Sequence, residues 1–366
     1  MKVGNKHYRS IWLEDEGHTV AVIDQTLLPF RFEIRQLTSS DEVVAAIRDM
    51  VVRGAPLIGA TASCGLMLAT LQDPSDTYLK QAAEQLLVAR PTAVNLRWAL
   101  DRMLPELLTA NESDRFATAR HLAQSICDED VHINSTLGDH GLGVFQDILK
   151  TRPDSQVLNV LTHCNAGWLA TVDWGTALAP IFKAHNAGTA IHVWVDETRP
   201  RNQGASLTAW ELNAHGVPHT VIADNAGGHL MQHGQVDLCI VGSDRTTRCG
   251  DVCNKIGTYL KALAADDNEV PFYAALPSST IDWTLCEGVS EIPIEERAAE
   301  EVTHITGSDA DNRSVRVRVT PQGSPAANPA FDVTPRRFIS GIITERGVCA
   351  ASEAALLALY PEQVEH

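Results

Sequence analysis

From residue 157 onward, short apolar runs recur at 157–161, 190–195, 220–223, 238–241, 272–276 and 338–343, and helix-length stretches separate most of them. Runs of that length, bounded by turn residues, fit strands buried on both faces of a sheet. Strands alternating with helices build βαβ units, so this half reads as a Rossmann-like, doubly wound, mostly parallel sheet. The first half has another rhythm. Segments at 11–12, 20–23 and 30–34 read as short strands of a small antiparallel sheet. Ser39 and Glu42 then form an S-x-x-E capping box, and Val43, Val44, Ile47, Met50 and Val51 follow at helical spacing. Further helices are expected over 57–71, 78–88, 93–108 and 114–126. The expected class is α/β, with a small-sheet and helical domain over 1–135 and a Rossmann-like domain over 136–366. A chain of 366 residues suits two domains of about 150 residues each. Within the polar segment 308–328, Val315, Val317 and Val319 alternate as in an edge hairpin.

Charge narrows the partners. Lys and Arg number 29 against 46 Asp and Glu, a net charge of -17. A nucleic-acid binder needs a basic stripe to neutralise phosphates, and an anionic membrane surface asks for the same. The apolar run 57–71 is too short to span a bilayer, and the opening MKVGNKHYRS has no apolar signal core. The expected setting is the cytoplasm, with the 8 cysteines reduced. No G-x-G-x-x-G follows a strand, and there is no G-x-x-x-x-G-K-[ST] or H-E-x-x-H. Cys249 and Cys253 lack a second pair for zinc. Neither a metal nor a cofactor is expected, so the chemistry falls to side chains.

Ligands of an open parallel sheet bind beyond the carboxyl ends of its strands. Five successive ends carry reactive or hydrogen-bonding groups: Thr162-His163-Cys164-Asn165, Asp196-Glu197-Thr198-Arg199, Asp224-Asn225, Gly242-Ser243-Asp244-Arg245 and Pro277-Ser278-Ser279-Thr280. One such end is a helix cap, whereas five together point to an active site. Cys164 lies between a strand and an expected helix start, where a helix N-terminus would lower its pKa. The alternative is a buried structural thiol. His163 is read as structural. Asp244 follows the apolar run 238–241, where desolvation raises a carboxyl toward neutral and suits it to acid/base work. Asp251 is read as the cap of a helix containing Asn254 and Lys255 in its first turns. A cation is misplaced there, which marks Lys255 as an anion ligand. Arg53-Gly54-Ala55-Pro56 joins two helices and combines a guanidinium with N–H groups at a helix N-terminus, a recipe for phosphate. Arg90-Pro91-Thr92 repeats the arrangement.

These residues lie in long, ordered blocks: RGAPLIGA at 53–60, RPTAVNLRWAL at 90–100, THCNAGWLAT at 162–171, DETRPRNQGASLTAWEL at 196–212, GSDRTTRCGDVCNKIGTY at 242–259, PSSTID at 277–282, IPIEER at 292–297, NPAFDVTP at 328–335 and ITERGV at 343–348. They resemble the methylthioribose-1-phosphate isomerase family. Trp168, residues 246–249 and Cys253 depart from its usual pattern beside the key positions without replacing them. The resemblance implies an aldose–ketose isomerase of methionine salvage, a homodimer acting on a sugar phosphate. It places the catalytic pair on Cys164 and Asp244, and the substrate ligands on Arg53, Gly54, Ala55, Arg90, Gln203, Asn254 and Lys255. Two alternatives stand beside it. One is an isomerase of 5-deoxyribose 1-phosphate or ribose 1,5-bisphosphate. The other is a non-catalytic regulatory subunit, like those of the eukaryotic translation-initiation guanine-nucleotide exchange factor.

Overall fold

A computed structural model describes residues 2–4, 6–91, 93–151 and 157–364. Near the N-terminus β1 (Ile11–Glu14), β2 (Thr19–Ile23) and β3 (Ile34–Leu37) pair in that order as an antiparallel sheet, with all of β2 buried. The third strand begins at Ile34 and not at Phe30. Leu27 O accepts from both Phe30 N and Arg31 N, so those residues are spent in a turn. The helix α1 (Ser40–Arg48) starts as expected, with Ser39 accepting from Glu42 N. The Glu42 carboxylate reaches one residue further back than a standard box and accepts from Thr38 N.

Helix α2 (Ala55–Gln72) is apolar on every side, and every residue from Ala55 to Thr70 is buried. A helix of that kind needs partners all round. It finds them in α1, α3 (Asp76–Ala89), α4 (Val94–Thr109) and α5 (Arg115–Thr151). By length and composition α2 could cross a bilayer, but here it is the axis of a protein core. Helix α5 runs well past the expected end at 126. Gly138 and Gly141 do not break it, because they lie against Ala179 and Pro180 of α6 (Leu178–Asn186), where a Cβ would collide. Its early residues Ala119, Ala123 and Ile126 belong to the core around α2, whereas Leu137 and Phe145 belong to a second core under the large sheet.

The second half contributes β4 (Leu158–Thr162), β5 (Ile191–Asp196), α7 (Ala209–His215), β6 (His219–Ile222), α8 (Ala226–Gln232) and β7 (Leu238–Val241). There follow β8 (Arg245–Thr247), β9 (Val252–Lys255), α9 (Thr258–Asp267), β10 (Phe272–Ala275) and β11 (Ile281–Asp282). Last come β12 (His304–Ser308), β13 (Ser314–Arg318), β14 (Phe331–Thr334), β15 (Gly341–Thr344), β16 (Gly347–Cys349) and α10 (Glu353–Leu359). The large sheet has the order β16-β15-β10-β7-β4-β5-β6, parallel except for β16. Its parallel strands, numbered by their sequence within the sheet, stand 3-2-1-4-5-6, the order of dinucleotide-binding folds. The order reverses between β4 and β7, so a crevice opens beyond their carboxyl ends. The alternation near 315–319 is a hairpin, β12 with β13.

Two expectations need correction. Residues 252–255 are a strand, not a helix. β9 pairs with β8 on one side and β14 on the other, and helix α9 starts only at Thr258, after Gly257 at φ +102. Asp251 caps no helix. Its carboxylate accepts from the main-chain N–H groups of Gly288 and Arg336. Val252, Ile256, Tyr259, Leu260 and Leu263 fit a helical period in the sequence, yet Leu260 is 59% exposed and lies on no buried stripe. The cysteines are not all reduced either. Cys249 and Cys286 form a disulfide, brought together by the turn after β8 and the segment after β11.

Candidate active site

The crevice of the sheet lies between the loops after β4 and β7, and these loops carry Cys164 and Asp244. Cys164 follows β4 at φ +68, a left-handed conformation uncommon for a residue with a side chain. Two hydroxyls hold it there: Cys164 N donates to Thr198 Oγ1 at 2.8 Å, and Thr208 Oγ1 donates to Cys164 O at 2.7 Å. Its Sγ lies 3.5 Å from Gln203 Oε1. No α-helix begins at Cys164. Burial pushes the thiol up, against the pull of Arg53 and Lys255. The expected helix-lowered thiol is thus replaced by a buried one.

Asp244 leads into β8, and its N–H donates to Cys253 O. Burial raises its carboxyl, opposed by Lys255, Arg53 and Arg90. Lys255 ends β9 in a buried position, its Nζ 4.7 Å above the Phe331 ring. Burial lowers its pKa while Cys164 and Asp244 raise it. Cys164, Asp244, Lys255 and Arg53 thus feel one another's charge across the crevice, and Arg90 acts on Asp244. Neighbours on a strand point to opposite faces. Lys255 faces the crevice with Cys253, whereas Asn254 is turned toward α9 and donates to Thr258 Oγ1 at 3.0 Å.

The N-terminal helices close the other wall. Gly54 precedes α2 at φ +92, and a Cβ on it would stand 2.5 Å from Ala170 Cα and O. Only glycine fits there, and Pro56 sits in the first turn of α2. Arg53 is buried, its Nη1 donating to Asn165 Oδ1 at 2.6 Å and its Nη2 to Asn165 O at 2.7 Å. Arg90 ends α3, and its Nη2 contacts Glu295 at 3.3 Å. Its Nε and Nη1 are buried without a hydrogen-bond partner among the described residues. Arg90 is therefore at a helix end, three residues ahead of α4's cap at Ala93; Thr92 of the same motif lies outside the described residues. A cleft of about 650 Å³ reaches Arg53 and Gln203 from outside, past Met50, Leu27 and Leu28. Arg90 and Asp244 line a small inner chamber with Ile58, Ala93, Ile292, Pro293 and Phe331.

His163 is structural as expected. Its Nδ1 faces Asp196 at 2.9 Å and its Nε2 faces Ile256 O at 2.8 Å. His163, Asp196 and Asp224 lie close enough to hold a metal ion, but both carboxylates are already engaged: Lys261 Nζ lies 3.2 Å from Asp196, and Asp224 accepts from Thr198 N at 2.7 Å and Arg199 N at 2.8 Å. Sequence reasoning placed Asn165 and Thr198 at the site's strand ends without assigning them a role, and missed Thr208 and Glu211 as supports of the site. A signal existed for Glu211, a lone carboxylate between Trp210 and Leu212.

Residues 51–351 match the model of the Initiation factor 2 subunit family. A methylthioribose-1-phosphate isomerase of Methylorubrum populi is 64% identical over 99% of this chain and 99% of its own. One from Rhodospirillum rubrum is 62% identical over 99% of this chain and 94% of its own. The chain belongs to the methylthioribose-1-phosphate isomerase family. The solved 5-methylthioribose 1-phosphate isomerase of Pyrococcus horikoshii superposes with a TM-score of 0.83 at 38% identity, over 99% of this chain and 100% of that one. A structure from A. fulgidus titled translation initiation factor eIF-2B, subunit delta, superposes at 0.79 with 37% identity, over 97% and 100%. The family membership accounts for a fold of dinucleotide-binding order whose strand ends carry a thiol and a carboxyl where a nucleotide fold has a glycine-rich loop, with Arg53 and Arg90 supplied by the N-terminal helices and Lys255 by β9.

Proposed function

We propose that this chain isomerises 5-methylthioribose 1-phosphate to 5-methylthioribulose 1-phosphate. The observation that carries the reading is family membership over the whole chain, with Cys164, Asp244 and three cations converging on the crevice. Arg53, Arg90 and Lys255 hold the phosphate, joined by the N–H groups of Gly54 and Ala55. Gln203, beside Cys164, meets a sugar hydroxyl; the family resemblance gives Asn254 the same role, although its side chain here faces α9 and donates to Thr258 Oγ1.

The C1 oxygen of the substrate is phosphorylated, so the ring cannot open as a free hemiacetal does. Asp244, whose carboxyl burial raises, gives a proton from its acid form to the ring oxygen as the bond from C1 to that oxygen breaks. Hydrogen then moves from C2 to C1, the C2 hydroxyl loses its proton to the Asp244 carboxylate, and a ketone forms at C2. Electrons and protons balance, and the acid is regenerated. If hydrogen moves as a hydride, Cys164 shields and shapes the path. If it moves as a proton through an enediol, Cys164 must act as a base. Burial keeps the thiol neutral, and a neutral thiol is a poor base, which favours hydride transfer. Deuterium at C2 separates the routes, since loss to solvent excludes a pure hydride shift.

The enzyme works as a cytoplasmic homodimer, a reading taken from the family and tested by its sedimentation mass. The division at residue 135 is supported by the two cores that share α5, which change over between Cys127 and Leu137. The deciding experiment is turnover of purified protein on 5-methylthioribose 1-phosphate, 5-deoxyribose 1-phosphate and ribose 1,5-bisphosphate. Preference for the second or third gives the reading to a related isomerase. Binding without turnover on any of them gives it to a regulatory subunit.

A further inference from the structure

Arg53 does not reach the crevice unaided. Both of its terminal nitrogens are held by Asn165, one by the side-chain oxygen and one by the main-chain oxygen. An asparagine amide has one accepting end and one donating end. Reversed, it would present N–H groups to the guanidinium and repel it. Glu211 prevents the reversal: Asn165 Nδ2 donates to Glu211 Oε1 at 2.8 Å and to Thr208 Oγ1 at 3.1 Å. Thr208 and Glu211 stand three apart where a π-turn, Gly204–Thr208, runs into α7, so they share a face toward Asn165.

The carboxylate is fully buried and also accepts from Trp168 N at 2.7 Å and Leu169 N at 3.0 Å. The loop is shaped to it, because a Cβ on Gly167 would overlap Glu211 Oε2. Its surroundings are otherwise apolar, with Trp168, Leu169, Leu178 and Leu212 in the same core. A neutral oxygen would suffice to hold two main-chain N–H groups. A buried charge is costly unless a cation answers it, and the cation here is Arg53. Burial outweighs the opposing pull of Asn165, the two N–H donors and Arg53 and leaves the carboxyl raised to about 7.

We propose that Glu211 is a positioning residue for anion binding: through Asn165 it holds the Arg53 guanidinium beside the Gly54 and Ala55 N–H groups, where the substrate phosphate is taken up. The inference rests on the reading of Arg53 as a phosphate ligand and goes beyond it by naming what keeps that ligand in place.

The test uses the full chain and two readouts: steady-state kinetics on 5-methylthioribose 1-phosphate and calorimetric titration with inorganic phosphate. Glu211→Gln should raise KM about tenfold, leave kcat within about threefold, and weaken phosphate binding in parallel. In an Arg53→Lys background the same substitution should change phosphate affinity by less than about twofold, because the partner it positions is gone. Should Glu211→Gln not fold, Asn165→Ala cuts the same link, leaves Glu211 its two main-chain donors, and is read in the same way. A fall in kcat with KM and phosphate affinity unchanged, or an equal loss in both backgrounds, overturns the proposal and makes Glu211 a support of the loop alone. The parent reading fails differently: Arg53→Lys would then bind phosphate as well as wild type does.

Discussion

Arg90 offers a substitution whose effects on binding and on stability should have opposite signs. Its side chain is 11% exposed, and one of its three nitrogens meets Glu295 at 3.3 Å. Nε and Nη1 are buried with no partner among the described residues. Replacing Arg90 by Met keeps the stem and removes the charge. Glu295 is not stranded, since Arg297 already holds it at 2.8 Å. An unsatisfied buried polar group costs about 1–3 kcal/mol, so the folded enzyme should be as stable as before or slightly more so. Binding should move the other way. Two open donors on a phosphate are charge-assisted bonds of about 1.5–3 kcal/mol each, and allowing for incomplete desolvation their joint loss is about 3–4 kcal/mol. That is a rise in KM of about 10²- to 10³-fold. The assay pairs steady-state kinetics with thermal melts, with and without inorganic phosphate. Arg90→Met should keep its melting temperature and lose the shift that phosphate produces in wild type. A KM within about threefold of wild type, or a melting temperature lowered by more than about 5 °C, would refute the reasoning and make Arg90 a structural partner of Glu295.

Asp244→Asn should abolish turnover while phosphate still binds, and loss of binding instead would recast Asp244 as a ligand. Because burial holds the Cys164 thiol up, iodoacetamide should label it more slowly than free glutathione at pH 7, with the rate climbing as pH rises. Peptide mapping checks this, and faster labelling than glutathione at pH 7 would show a lowered thiol. Glu211 sits at about 7 in the fold against an ordinary carboxyl near 4.3. A raised carboxyl favours the fold fully below its unfolded pKa and loses that contribution as pH climbs through the folded one. Wild type should therefore lose up to about 3–4 kcal/mol relative to Glu211→Gln between pH 4.3 and pH 7, read from urea midpoints at pH 5 and pH 8. A constant difference would place the Glu211 pKa in the ordinary range. The Cys249–Cys286 bridge closes a separation of 37 residues, and its reduction by dithiothreitol should lower the urea-derived stability by about 2–4 kcal/mol. An unchanged midpoint would mean that the bridge is not formed in solution.

The sheet was legible because buried parallel strands write themselves as continuous apolar runs. The run 238–241 coincides with β7, and 190–195 falls one residue from β5. Misreadings occurred where two periods fit the same letters. Val252, Ile256 and Tyr259 satisfy a helical count, yet the N–H and C=O groups of 252–255 are claimed by strands on both sides. Those partners, Arg245–Thr247 and Phe331–Thr334, include one almost eighty residues away, beyond the reach of any local pattern. The site divides in the same way. Arg53-Gly54-Ala55-Pro56 is a local device, and its geometry follows from a glycine and a proline placed at a helix start. The supports of Arg53 and Cys164 are not local, because Asn165, Thr198, Thr208 and Glu211 act across sequence gaps that only the closed sheet brings together.

A net charge of -17 and a phosphate substrate are compatible because of how the cations are distributed. Arg201, Arg297, Arg313 and Arg346 each pair with a carboxylate, several of them near the surface. Their fields are cancelled at short range, and what remains is screened beyond about 8 Å at physiological salt. Arg90 and Lys255 are treated differently. Arg90 keeps two donors unused, and Lys255 lies against an aromatic ring with no ion pair among the described residues. Inside the crevice the effective dielectric is lower and screening is weak, so these few cations govern the local potential whatever the sign of the exterior. The same setting accounts for Asp244. A carboxyl beside three cations in water would be firmly ionised, yet burial outweighs their pull and raises it. The arriving phosphate adds two negative charges to those cations and weakens their hold on the Asp244 anion further. Under the proposed mechanism, substrate binding thus drives Asp244 toward the protonated form that ring opening requires, coupling recognition of the phosphate to the first chemical step.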